Sequence, residues 1–192
     1  MSEPFRVGFV TGSTPDKWAR AWRERRRVPL ELVPVLESEQ EIGLREETLD
    51  MALVRLPIDR EGLHCVRLYA EVPVVVAGVD HFVAAAEEVT LADLTDEQLV
   101  RPHASGWQPD ASQLDWPPMS EKDAIETVAA GTGVVIVPMS IARLHMRKDV
   151  VHRPVTDLDP TEIALAWRIE RDAEDTQAFV GLARGRSANS SR

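Results

Sequence analysis

The stretch Leu49-Asp50-Met51-Ala52-Leu53-Val54-Arg55 decides the fold. Its nearly unbroken apolar run, stopped by Leu56-Pro57, is the pattern of a strand covered on both faces, as in parallel sheets flanked by helices. Upstream, Arg6-Val7-Gly8-Phe9-Val10 reads as a first short strand. Thr11-Gly12-Ser13-Thr14-Pro15-Asp16 then supplies capping residues followed by a proline suited to a first helical turn. A helix is expected to start near Thr14, with Ser13 or Thr14 as its cap. Trp18, Ala21, Trp22 and Arg25 share one helical face and Lys17, Arg20 and Arg23 the other, which assigns both tryptophans to the core. Leu30 to Leu36 reads as a second strand, irregular or at an edge because of Pro34, and Glu39 to Glu47 as a second helix. The order β-α-β-α-β implies a parallel sheet with right-handed crossovers, in which ligands bind outside the carboxyl ends of the strands.

Working downstream, Leu63 to Tyr69 is a further strand candidate, and Val72 to Val79 is an apolar stretch able to pass from one lobe to another. Leu91 to Leu94 begins a short helical segment, whereas Arg101 to Pro118 mixes Pro, Gly, Ser, Gln and Trp without a period and is expected to be loop. Glu121 to Ala130 reads as a helix closed by Gly131, and Val134 to Val137 as a buried strand stopped by Pro138. A helix restarts over Ser140 to Met146, with strands at Val150 to Val155 and Glu162 to Arg168. Asp175 to Ala183 is a terminal amphipathic helix, and 187–192 a polar tail expected to be disordered.

Composition narrows the function. The 192 residues are 44% apolar and 28% charged, an ordinary globular balance with enough chain for a core that needs neither metal nor disulfide. Cys65 is the only cysteine, which excludes an intrachain disulfide and cysteine-rich metal sites. With 22 Lys and Arg against 32 Asp and Glu, the net charge of −10 repels a nucleic-acid backbone. The basic run Arg23-Glu24-Arg25-Arg26-Arg27 closes a helical pattern, where cations complement the helix end. Met1 to Val10 is neither a signal peptide nor a membrane anchor, so a cytosolic address is expected.

Catalytic signatures fail. Five histidines, His64, His81, His103, His145 and His152, sit in no recognisable catalytic setting, and no nucleophile elbow, zinc motif or nucleotide-binding glycine loop is present. Gly131-Thr132-Gly133 follows a helix instead of opening one, so it reads as a structural cap. Thr11-Gly12-Ser13-Thr14 differs, because it lies between a strand and a helix, where unpaired N–H groups and the helix dipole favour an anion. Arg55 would emerge at the same carboxyl edge, either to pair with a ligand carboxylate or in a structural ion pair. Arg101 and His103 follow Leu99-Val100 and either face a cleft or are ordinary loop residues; Trp107 and Trp116 either line a pocket or pack. Cys65 reads as an inert, half-buried thiol.

Taken in order, these residues resemble the effector-binding domain of LysR-type transcriptional regulators, relatives of the type 2 periplasmic binding proteins. The marks are Val7-Gly8-Phe9-Val10 with Ser13-Thr14, Leu44-Arg45, Leu49 to Arg55, Val89-Thr90-Leu91-Ala92-Asp93-Leu94, and Val128-Ala129-Ala130-Gly131-Thr132-Gly133-Val134-Val135-Ile136-Val137-Pro138, which together span nearly the whole chain. The resemblance implies an α/β fold of two Rossmann-like lobes joined by two crossovers: 5–77 with 163–185 as lobe I and 78–162 as lobe II. It also implies a small, often carboxylated effector between the lobes. Contacts would come from Ser13 and Thr14, from Arg55 and from a hydroxyl position falling at Ser38, to which the place of Arg101 and His103 after Leu99-Val100, and not the resemblance, adds those two residues as candidates. No cofactor or metal is implied.

Three departures matter. Glu37, beside the Ser38 position, either repels a dicarboxylate or favours an amine-bearing or neutral ligand. The region from His103 to Pro118 is irregular. The chain opens at lobe I with Met1-Ser2-Glu3-Pro4, with no winged helix-turn-helix, so it is not expected to read DNA as the family does. The family's antiparallel pairing implies a homodimer through the face near Trp18 and Arg25. The leading expectation is therefore a ligand sensor and not an enzyme. Its rivals are an enzyme using His103 or His81 as general base, and a module that only dimerises or captures a partner.

Overall fold

The run around Met51 is fully enclosed, as its sequence requires: all five residues of Met51–Arg55 are buried. Side chains alternate across a strand, so Met51 and Leu53 enter one apolar cluster while Ala52 and Val54 enter another on the opposite face. The computed structural model describes residues 3–185. In chain order the elements are β1 (Phe5–Val10), α1 (Asp16–Arg25), β2 (Leu30–Val35), α2 (Ile42–Arg45), β3 (Met51–Arg55), β4 (Leu63–Glu71) and β5 (Pro73–Gly78). After them come α3 (Glu121–Ala129), β6 (Val135–Pro138), α4 (Met139–Leu144), β7 (Val150–Pro154), β8 (Thr161–Arg168) and α5 (Glu174–Ala183). The chain divides into two units between Ala70 and Glu71 and again between Thr161 and Glu162.

The first unit holds a five-stranded sheet in the order β2-β1-β3-β8-β4. Strands β2, β1 and β3 are parallel, with Val7 opposite both Leu32 and Met51, so the three carboxyl ends lie along one edge. Strand β8 returns antiparallel to β3, Leu53 facing Leu165, which the simple alternating reading does not contain. Pro34 lies in the outermost strand, where a missing N–H costs least. One face of the sheet is sealed by α1 and α5 through Phe5, Trp22 and Phe179; the Phe5 and Trp22 rings stack at 5.0 Å. Trp22 also donates its indole N–H to the Val28 carbonyl at 2.8 Å. Trp18 is half-buried against the same cluster.

Two local expectations are corrected here. Helix α1 starts at Asp16 with Pro15 at the cap position and no side-chain cap, because the Ser13 hydroxyl turns back to the Val10 carbonyl at 2.7 Å. The helix expected over Glu39 to Glu47 is a single tight turn at Glu37–Glu39 followed by the four-residue α2. The Gln40 side chain is drawn away to β3, and Glu47 sits at φ 62, where a helix cannot continue.

The second unit is built on a three-stranded sheet, β6-β5-β7, antiparallel throughout. Strand β5 is central, with Val74 and Val76 on one cluster and Val75 and Ala77 on the other. The stretch read as a passage between lobes is thus a core strand of this unit, and the division falls at 70/71 where the sequence reading drew it at 77/78. Helix α3 is capped by the Ser120 hydroxyl, which accepts the Asp123 N–H at 3.2 Å, and is followed after Ala130 by Gly131, whose N–H donates to the Val128 carbonyl at 2.9 Å. Gly133 is required by space as well as by its φ of 64: an added Cβ would lie 2.2 Å from the Gln98 carbonyl oxygen. The segment 101–118 carries no helix or strand. The tail expected at 187–192 lies outside the described residues.

Candidate functional site

The parallel strands bring three loops to one edge of the first unit: Thr11–Thr14 after β1, the Glu37–Glu39 turn after β2, and the end of β3 itself. Arg55 ties them together. Its Nη1 donates to Glu37 Oε2 at 2.7 Å and its Nη2 to the Thr11 carbonyl at 3.1 Å. The Arg55 side chain is 3% exposed, so a charged partner is a physical necessity, whereas that of Glu37 is 43% exposed. Gln40 completes the joint: its Oε1 accepts the Arg55 N–H at 2.7 Å and its Nε2 donates to the Arg55 carbonyl at 2.9 Å. A side-chain amide here pairs with strand backbone as a neighbouring strand would.

Of the residues singled out from sequence, Ser13, Thr14, Ser38 and Arg55 are gathered at this edge. Ser13 is buried, with its hydroxyl donating to Val10; Thr14 and Ser38 are exposed. Arg55 is present at the expected place, with its guanidinium committed to protein acceptors. Neither Gln40 nor the Glu37 pairing was found by sequence reading. A glutamine in an acidic stretch carries no periodic signal, and nothing local marks which carboxylate an arginine will choose.

Arg101 and His103 lie in the irregular segment of the second unit. Arg101 is tied down by Glu121 at 3.1 Å and by the Met119 carbonyl at 3.2 Å. His103 Nδ1 accepts the Ser105 N–H at 3.2 Å and lies 2.9 Å from the Ser105 hydroxyl; burial, and secondarily Arg101, hold its pKa below the ordinary histidine value. Trp107 and Trp116 are half-buried and pack against the unit's two clusters. An open cavity of about 410 Å³ runs along Val100, Arg101, Pro102, Trp116 and Met119. Two glutamines order the segment. Gln98 donates to the Ser112 carbonyl and accepts the Leu114 N–H; Gln113 accepts the Leu99 N–H and donates to the Glu97 carbonyl.

His81, a rival general base, has Nδ1 accepting the Val83 N–H and Nε2 against Glu97 at 3.1 Å, so both ring nitrogens are engaged. Burial pushes the Cys65 thiol pKa up, away from reactivity. No group of three or more His, Cys, Asp or Glu suited to a metal occurs among the described residues. No helix among them is long and apolar enough to cross a membrane.

Comparison with known proteins places this geometry. The LysR substrate binding domain family matches residues 5–188. The Hca operon transcriptional activator HcaR of Escherichia coli K12 is 25% identical over 177 residues, covering 83% of this chain and 58% of the relative, so the chain spans less than two thirds of HcaR. Among solved structures, the effector-binding domain of BenM with its effector benzoate superposes with a TM-score of 0.78 at 22% identity, covering 95% of this chain and 91% of that one. The same domain of a BenM variant gives 0.79 at 21% identity, covering 96% and 94%. A cysteine mutant of Corynebacterium glutamicum OxyR, H2O2-bound, gives 0.73 at 22%, covering 96% and 67%. HcaR is a transcriptional activator by name, and the solved neighbours share the α/β, type 2 periplasmic-binding-protein fold read from the sequence. By the family match over almost its full length, the chain belongs to the LysR substrate binding domain family.

Proposed function

We propose that this chain is the effector sensor of a LysR-type regulator and binds a small carboxylate metabolite. The observation that carries the reading is the junction at Arg55, which holds the Thr11–Thr14 turn, the Glu37–Glu39 turn and the end of β3 at the carboxyl edge of a parallel sheet. That edge is where open α/β sheets hold ligands. Benzoate as the effector of BenM supports a carboxylate class. In this reading Thr14 and Ser38 contribute hydroxyls, and Ser13 and Arg55 shape the edge. Effector binding shifts a population of conformers, and the altered surface passes the signal on. The protein works in the cytosol as a homodimer, paired through the face near Trp18 and Arg25, and sedimentation of the free chain tests that pairing.

The effector reading is tested by thermal unfolding against small carboxylates, aromatic acids, amino acids and amines, with Thr14→Ala and Ser38→Ala beside the parent. A ligand at a hundredfold its Kd adds roughly 2.7 kcal/mol, a shift of several degrees. The expected result is a selective shift that these substitutions reduce. A flat response across the panel overturns the sensor reading.

A further inference from the structure

A carboxylate already sits on Arg55. Glu37 Oε2 is 2.7 Å from Nη1, and Nη2 is turned to the Thr11 carbonyl. Because the arginine side chain is 3% exposed and the glutamate 43%, the charge that solvent meets at this edge is negative. Ser38 and Glu39, both exposed, follow Glu37 on the same turn, and Glu39 adds a second carboxylate. Gln40, the next residue, is clamped to both the N–H and the carbonyl of Arg55, which fixes the turn and the strand end in register. An internal carboxylate held this way competes at the effective concentration of a short tether, which dilute metabolites do not match.

We infer that Glu37 is a built-in occupant of the Arg55 anion position and the specificity-determining residue of the effector site, refusing a ligand carboxylate there and receiving a hydrogen-bond donor instead. The inference rests on the effector reading above and sharpens it. A ligand carboxylate placed against Glu37 meets like charge, while an ammonium, amide or hydroxyl meets an acceptor. The effector class becomes a small metabolite with a carboxylate at one end, for the Thr11–Thr14 turn, and a donor group at the other, in place of a dicarboxylate.

The first arm of the test needs no effector. Parent, Glu37→Ala, Glu37→Gln and the double variant Glu37→Ala with Arg55→Met are unfolded thermally in roughly 100 mM sodium acetate and in equal sodium chloride. Acetate is expected to raise the midpoint of Glu37→Ala by about 2 °C or more over chloride and to leave the other three unchanged. No acetate-specific gain in Glu37→Ala, or an equal gain in the double variant, overturns the occupancy. Glu37→Ser stands in should the alanine variant fail to fold. The second arm compares terephthalate with 4-(aminomethyl)benzoate, which differ at one end. The parent is expected to favour the amine by about tenfold and Glu37→Gln to lose that preference. A parent that favours terephthalate, or a ratio unchanged in Glu37→Gln, overturns the specificity role. If neither probe binds, the result counts against the effector reading alone, since the acetate arm still decides what occupies Arg55.

Discussion

His103 shows how a single side chain couples this protein to pH. Burial, with Arg101 as the lesser cause, lowers its pKa in the folded state, and Nδ1 is already engaged as the acceptor of the Ser105 N–H. The folded protein therefore prefers the neutral ring, while the unfolded chain takes up a proton near pH 6.5. The contribution is whole above that value and is lost as pH falls below about 6.5. His152 is lowered by burial first, then by Arg143 and Arg153, and acts in the same direction. Denaturant unfolding at pH 7.5 and 5.5 is expected to show a loss of stability that His103→Asn reduces; an identical loss in the variant refutes the assignment. At this scale the sequence was half legible. Arg55 was placed by the strand that ends on it, but its partner lies 18 residues away and is one of 32 acidic residues. Ser13 was read as a cap because its type favours one, and the backbone instead directs its hydroxyl to Val10.

Among elements, the contrast is between strands that bury themselves and a segment that is pinned. Apolar runs made β3 and β6 legible, since burial on both faces leaves no polar position to misread. The segment 101–118 has no such signal, and its order depends on the amides of Gln98 and Gln113, each bridging a backbone N–H and a backbone carbonyl across a gap of 14 to 16 residues. Replacing both with alanine leaves the Leu99 and Leu114 N–H groups unpartnered by these side chains. We expect a loss of about 1–3 kcal/mol and faster hydrogen exchange across 97–118, with β5 still protected. Exchange mass spectrometry reads both; uniform protection of the segment in the double variant excludes the pinning role. The second helix failed for the opposite reason, being composed of good helix formers but interrupted by the demands of β3 on Gln40.

For the whole molecule, the alternating order of the first half was enough to fix the α/β class and the carboxyl edge, because parallel neighbours need crossovers. The antiparallel entry of β8 between β3 and β4 was not legible, since an apolar strand carries no mark of its direction. That entry has a consequence for assembly. Among the described residues strand β4 borders only β8, so the sheet of the first unit lacks its inner strand until Thr161–Arg168 is present. Chains stopped after Pro160 are expected to expose the β3 and β4 edges, to aggregate, and under limited proteolysis to lose 1–70 before 71–160; equal protection of both segments contradicts this. During synthesis the second unit is complete while the first, begun before it, still waits for the strand that will close it.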